Sequence, residues 1–248
     1  MELLQGLIYN VKGLILALRT PRLLLLGCIR FVVVVLLTLM FSGLVLMWHT
    51  EILNLIWSMP ESGWLVILWK AVSWLLSLVL AGIAALIAYL TAQVFFCVFI
   101  MDYMSRITER MILGTETLPR VSMVQFFFYL IRQEIPRAVI PVVLMMVFMI
   151  LGILTPLGPA VAVIVSMTAA AFLAWDNTDL VAARRMQPFG QRFAYFRTNL
   201  GFHLGFGLWF LIPWVNIAFL SFAPVGATLY YLDQEARQKK NPTGSTAR

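Results

Sequence analysis

The sequence predicts an all-α integral membrane protein: two long transmembrane helices, two broken and partly penetrating helical hairpins, and amphipathic interfacial helices. Three observations predict it. Residues 138 to 175 are 38 residues without Asp, Glu, Lys or Arg, interrupted by Pro156-Leu157-Gly158-Pro159. A second run, Thr198 to Leu232, has 35 residues, equally without charge, and a break at Ile212-Pro213-Trp214. The whole chain is 62% hydrophobic and 12% charged, with mean hydropathy +0.92, whereas a soluble domain is about 25% charged. A soluble core cannot enclose two such runs. Each is also too long for one crossing, which takes ~20 apolar residues for a ~30 Å hydrocarbon core.

The chain opens with apolar residues at Leu3, Leu4, Leu7, Ile8, Val11, Leu14, Ile15 and Leu18, with Gln5, Asn10 and Lys12 opposite. That spacing predicts a helix lying among the headgroups. No small-residue cleavage site follows a short apolar core, so a cleavable signal peptide is not expected. Pro21 then starts the first membrane helix, Leu23 to Trp48, with Arg30 inside it. The short connection His49 to Gly63 carries only the acids Glu51 and Glu61. No proline interrupts Trp64 to Leu113, so one helix of about 50 residues, ~75 Å long, is expected there, with its polar end from Asp102 projecting past the bilayer. Val121 to Arg132, rich in Phe and Tyr, predicts a second interfacial stretch. Phe189 to Leu200 predicts a third, with Phe189, Phe193, Phe196 and Leu200 on one face. Between them the hairpin arms are Ala138 to Thr155, Pro159 to Trp175, Thr198 to Ile212 and Trp214 to Leu232, each reaching roughly 22 to 28 Å. Residues 1–233 read as a single membrane domain and 234–248 as a polar, disordered tail.

The charges set the orientation. Of 18 Lys and Arg, Arg30 and Lys70 lie inside apolar runs. The other 16 fall before the first membrane helix or at its start, in Asp102 to Arg137, in Asp176 to Arg197, and after Asp233. The positive-inside rule puts those four regions in the cytoplasm, with both termini. Both hairpins then leave from and return to that side. The net charge of +7 reports topology and headgroup contact. It carries no basic helix or binding motif for nucleic acid.

No catalytic constellation stands out. His49 and His203 lie in unrelated segments, and His203 reads as a hydrogen-bonded interior residue rather than a ligand. Cys28 and Cys97 have no ligand spacing and read as reduced packing residues. There is no phosphate loop, metal set or cofactor motif. Asp176 and Asp179 form either a solvated boundary or partners for Arg184, Arg185 or Arg197. Lys70 can snorkel outward. Arg22 and Arg30 are the anion-binding candidates. A charge near a membrane-helix centre costs ~2.5–3.5 kcal/mol on insertion scales, which makes it a functional candidate. Arg30 has three readings: snorkelling past Arg22, an ion pair such as one with Asp102, or contact with an anion. Arg22 follows Pro21 at a helix start, where free N–H groups suit an anion. The broken tips at Pro156, Gly158, Pro159, Pro213 and Asn216 are candidates for lining a path, because non-helical backbone at that depth is tolerated only beside protein or water.

Several short patterns resemble the CysZ family, which shares a domain with etoposide-induced membrane proteins. They are Arg19-Thr20-Pro21-Arg22-Leu23, the Glu109 to Thr115 stretch ending in Leu-Gly-Thr, Arg132-Gln133-Glu134, the Pro156 to Pro159 tip and Trp175-Asp176. The most specific are Phe206-Gly207, Ile212-Pro213-Trp214-Val215-Asn216 and Ala223 to Thr228. The resemblance covers most of residues 6 to 233. It implies a bacterial inner-membrane protein that admits sulfate for cysteine synthesis and assembles into homo-oligomers. One departure matters: the family's Arg-Arg pair at the first membrane helix is not retained. Aligning on Pro21 puts Leu24 and Leu25 there, and aligning on Gly27 keeps Arg30 alone. A single guanidinium matches a dianion less well than two.

The function expected is therefore passage of sulfate or a similar oxyanion, channel-like or carrier-like, with lipid and substrate anion as partners and no enzymatic step. The alternative is a non-transporting structural or assembly protein of the same family.

Overall fold

The computed structural model describes residues 1–56, 63–115 and 122–240. Glu61, Val121 and the tail Asn241 to Arg248 lie outside the described residues. The elements in order are α1 (Glu2–Arg19), α2 (Pro21–Met47), α3 (His49–Ile56), α4 (Gly63–Ala92), a π-helical segment (Gln93–Cys97), α5 (Val98–Leu113), α6 (Met123–Leu154), α7 (Gly158–Thr178), α8 (Leu180–Arg184), α9 (Phe189–Thr198), α10 (Leu200–Gly207) continued by a 3₁₀ turn (Leu208–Leu211), and α11 (Val215–Lys240). The all-α membrane architecture is the one expected. Among the described residues five stretches are long and apolar enough to cross a membrane: Pro21–Met47, Gly63–Leu113, Ile135–Leu154, Gly158–Thr178 and Val215–Arg237.

The run from Gly63 is a single 51-residue helix, as the absence of proline foretold. The hairpins are unequal. Both arms of the first, α6 and α7, reach crossing length, whereas the second pairs α11 with Leu200–Leu211, only ~18 Å of helix. The aromatic stretch before the first hairpin is not a separate interfacial helix. Ser122 caps it, accepting from the Gln125 N–H at 3.3 Å, and it forms the opening turns of α6. Likewise α11 continues through Lys240, so residues 234–240 of the expected tail are helical.

The chain divides into two compact units, Met1–Arg30 with Cys97–Arg248, and Phe31–Phe96. In the first unit α11 is the hub: 61% of its apolar window is buried, against 12–22% for the other four candidate spans. Phe219, Ala223, Ala227 and Tyr230 of α11 pack with Phe202, Phe206 and Phe210.

Helix α1 packs in the reverse of the soluble sense. Its exposed side is the apolar one, including Leu3, Leu4, Ile8, Ile15 and Leu18, as a helix beside lipid requires. Its buried side is Gly6, Asn10, Gly13 and Ala17. Asn10, expected on a solvated face, donates its Nδ2 to Phe206 O at 2.7 Å. A Cβ on Gly13 would stand 2.2 Å from Gly226 N, so here only glycine lets α1 and α11 meet backbone to backbone.

In helix α9, Phe189, Phe193 and Phe196 surround Trp175 with ring centroids at 5.9, 5.7 and 5.0 Å. Its aromatic face packs against α7, with Phe189 and Phe193 half-buried, and Leu200 just beyond it stays exposed.

Candidate functional site

Two buried charge clusters occupy the first unit. In α5, Asp102, Ser105 and Glu109 follow one helical stripe and are buried together. Arg184, the last residue of α8 and fully buried, meets Asp102 at 2.9 Å and Glu109 at 2.6 Å, and lies 3.3 Å from Ser105 Oγ. Thr228 of α11 donates to Ser105 at 2.9 Å. Arg185 extends the cluster to Glu235 at 3.0 Å. Burial works against the Arg185 charge, but the Glu235 carboxylate outweighs it and its pKa is raised. At the polar end of the long helix Asp102 and Glu109 thus face inward, while Arg110 is exposed.

In the second cluster Arg137 of α6 bridges Asp176 at 2.9 Å and Asp179 at 3.1 Å. Arg192 of α9 grips Asp179 through Nε at 2.8 Å and through a second, shorter Nη2 contact. Both aspartates are buried, so they are not a solvated boundary. The arginines that meet them are Arg137 and Arg192, where the sequence offered Arg184, Arg185 or Arg197. His203 is an interior residue as expected, its Nε2 2.9 Å from Thr178 Oγ1 and its Nδ1 2.8 Å from Asn199 O.

Arg30 is different. It is 5% exposed, so it does not snorkel to the headgroups, and Asp102 is engaged with Arg184 and Arg106 instead. Its Nη1 donates to the carbonyl of Leu220 at 2.7 Å and lies 3.5 Å from Asn177 Oδ1. The sequence explains the carbonyl. In an α-helix the C=O of residue 220 accepts from the N–H of residue 224, and residue 224 is proline, which has none. Pro224 inside α11 thus frees an acceptor, and Arg30 takes it. Approach is set one turn earlier on α2, where a Cβ on Gly27 would lie 2.1 Å from the Phe222 ring. Among the described side chains no carboxylate pairs with Arg30; its partners are a backbone dipole and an amide.

The other expected site residues are spread out. Arg22 is exposed and lines a separate cleft of about 330 Å³ with Thr20, Tyr103, Arg106 and Arg110. At the first tip, Pro156 is exposed in the turn, and Gly158 and Pro159 open α7. That tip is 19 residues before Asn177, ~28 Å along the helix, and is not brought to Arg30. At the second tip, Pro213 and an exposed Trp214 with φ 67 make the turn. Asn216 closes it through its backbone N–H on Ile212 O at 2.9 Å, four residues or ~6 Å before Leu220. Cys28 is exposed and Cys97 buried, both as thiols outside any disulfide, and Lys70 is exposed. Among the described residues no group of His, Cys, Asp or Glu could hold a metal ion. Sequence reasoning missed Asn177, Leu220 and Pro224 at Arg30. Only Pro224 left a signal, through the carbonyl four residues before it.

The fold and its interior charges define a multi-pass, all-helical membrane protein whose polar chemistry is arginine-based. A family model described as "Sulfate transporter CysZ/Etoposide-induced protein 2.4" matches residues 9–221, and the chain belongs to that family. The match takes in Arg22, Arg30 and both hairpin tips and ends before Pro224. No curated protein matches the chain significantly.

Proposed function

We propose that this protein gives sulfate or a similar oxyanion passage across the bacterial inner membrane, with both termini cytoplasmic and as a homo-oligomer. One observation carries the reading: Arg30 is a buried guanidinium whose protein partners are all neutral. A buried cation without a counter-charge is costly, and a transient anion is the partner that would offset it. The Leu220 carbonyl and Asn177 fix one edge of the guanidinium, which leaves its remaining N–H groups to meet an oxyanion. One arginine rather than two suits passage, which requires binding favourable enough to enter and weak enough to leave. Of the tip residues, Pro213 and Asn216 stand nearest in sequence to Leu220 and are the better candidates for the same path. The basic loops and the family membership support the orientation and the substrate class.

The test is sulfate flux into liposomes holding the purified protein. Wild type is expected to exceed empty liposomes, Arg30→Met to lose at least tenfold, and Arg30→Lys to retain part. Absence of flux from wild type would favour the alternative, a non-transporting assembly protein. Unchanged flux in Arg30→Met would remove Arg30 from the path.

A further inference from the structure

We propose that the cavity between the end of α7, the turn after α8, α9 and α11 binds an uncharged, planar ligand of the purine nucleoside class. The cavity holds about 400 Å³, within the ~300–1,000 Å³ usual for small-molecule sites. Among its described lining residues the charges are matched. Arg185 meets Glu235 through two hydrogen bonds, at 3.0 and 3.2 Å, and Arg192 grips Asp179 through Nε at 2.8 Å. A sulfate or an amino acid would have to break one of these pairs to be held by charge. The open groups are neutral: the amides of Gln187, Gln191 and Gln234, with the rings of Tyr195 and Tyr231. Among the described residues none of these three amide side chains makes a hydrogen bond.

The backbone holds two of the lining residues in place. Arg185 and Gln187 flank Met186, whose φ of 57 lies in the left-handed region that helix ends ordinarily give to glycine. The Met186 N–H donates to Ala183 O at 2.9 Å and the Gln187 N–H to Ala182 O at 3.1 Å, so α8 ends in a closed Schellman turn. That turn sets both flanking residues on the cavity wall. The Arg185 guanidinium in turn lies over the Tyr231 ring at 5.3 Å. A carboxamide donates and accepts in one plane, and the edge of a purine base offers the complementary pair. Tyrosine rings supply stacking faces that suit a flat heteroaromatic ring. Such a ligand leaves both ion pairs intact. The inference stands apart from the transport reading, since Arg30 does not line this cavity.

The experiment is equilibrium dialysis of the full protein in an uncharged detergent against radiolabelled adenosine or guanosine. At least one of the two is expected to bind saturably. Its unlabelled form should displace it, whereas equal excesses of serine, glucose or sulfate should not. The double variant Gln187→Leu/Gln191→Leu, at a half-buried and an exposed position, should bind at least tenfold more weakly. Gln191→Leu alone, expected to lose at least threefold, serves if the double variant does not fold. Absence of saturable binding by both nucleosides, full binding by the variants, or displacement by serine, glucose or sulfate would overturn it.

Discussion

Arg137, Arg184 and Arg192 on one side, and Arg30 on the other, are all nearly inaccessible arginines in the same unit of one membrane protein, yet they are held by different chemistry. The first three face four carboxylates, Asp102, Glu109, Asp176 and Asp179, at hydrogen-bond distance. Arg30 faces a carbonyl and an amide. A matched cluster is a closed arrangement: its charges are already answered, and an incoming anion would have to displace a carboxylate. Arg30 is answered only by dipoles and keeps a full positive charge to offer. In the function proposed here, the difference separates the arginines that hold helices together from Arg30, offered to an anion.

The same substitution at both places tests that division. Arg184→Met leaves Asp102 and Glu109 buried without their shared cation, and removing one partner of a buried pair costs about 3–5 kcal/mol. The expected result is a large fall in the unfolding midpoint and in the yield of folded protein. Arg30→Met removes a charge that has no carboxylate to strand. It leaves one buried carbonyl unpaired, about 1–3 kcal/mol, and should yield folded protein with a smaller fall in midpoint and deficient flux. If Arg30→Met proved as destabilising as Arg184→Met, Arg30 would belong with the structural arginines.

Gly27→Ala should act on the Arg30 side alone. The new Cβ would meet the Phe222 ring at 2.1 Å, and overpacking of this kind costs about 1–3 kcal/mol. Pushing α2 from α11 should weaken the Arg30–Leu220 contact, so flux should fall while the ion pairs of Arg184 stay intact. An unfolding midpoint within a degree of wild type would show that the ring turns aside and that Gly27 does not set the approach.

The membrane fold was legible because length and apolarity measure themselves against the bilayer. The 38-residue and 35-residue runs, their proline breaks and the 51-residue helix all followed from that. Packing faces were less legible, because lipid removes the contrast that marks an interior in water. On α1 the apolar stripe was read correctly, but the face buried in protein is Gly6, Asn10, Gly13 and Ala17, small residues that hydrophobic periodicity passes over. Charge partners were not legible either. The Asp102, Ser105 and Glu109 stripe shows helical spacing, yet nothing local points it at Arg184, 75 residues beyond Glu109. Asp179 was read as either a solvated boundary or a partner for Arg184, Arg185 or Arg197, and the fold gave it Arg137 from the preceding arm and Arg192.

Pro224 gives the smallest and most discriminating test of the comparison. Proline in a helix interior is ordinarily unfavourable by ~3 kcal/mol relative to alanine, and here it frees the one carbonyl that Arg30 uses. Pro224→Ala would restore an N–H four residues after Leu220 and let α11 reclaim that acceptor. Arg30 would then share a bond it now holds at 2.7 Å. Stability should be unchanged or higher, because helix geometry improves where the Arg30 contact weakens, while sulfate flux should fall a few-fold. Pro224 touches the Arg184 cluster through its own carbonyl, which accepts from Thr228, itself bonded to Ser105; Pro224→Ala keeps that carbonyl, so the matched clusters should not respond. A variant that is more stable and also transports as well as wild type would show that the freed carbonyl does not position Arg30 for an anion.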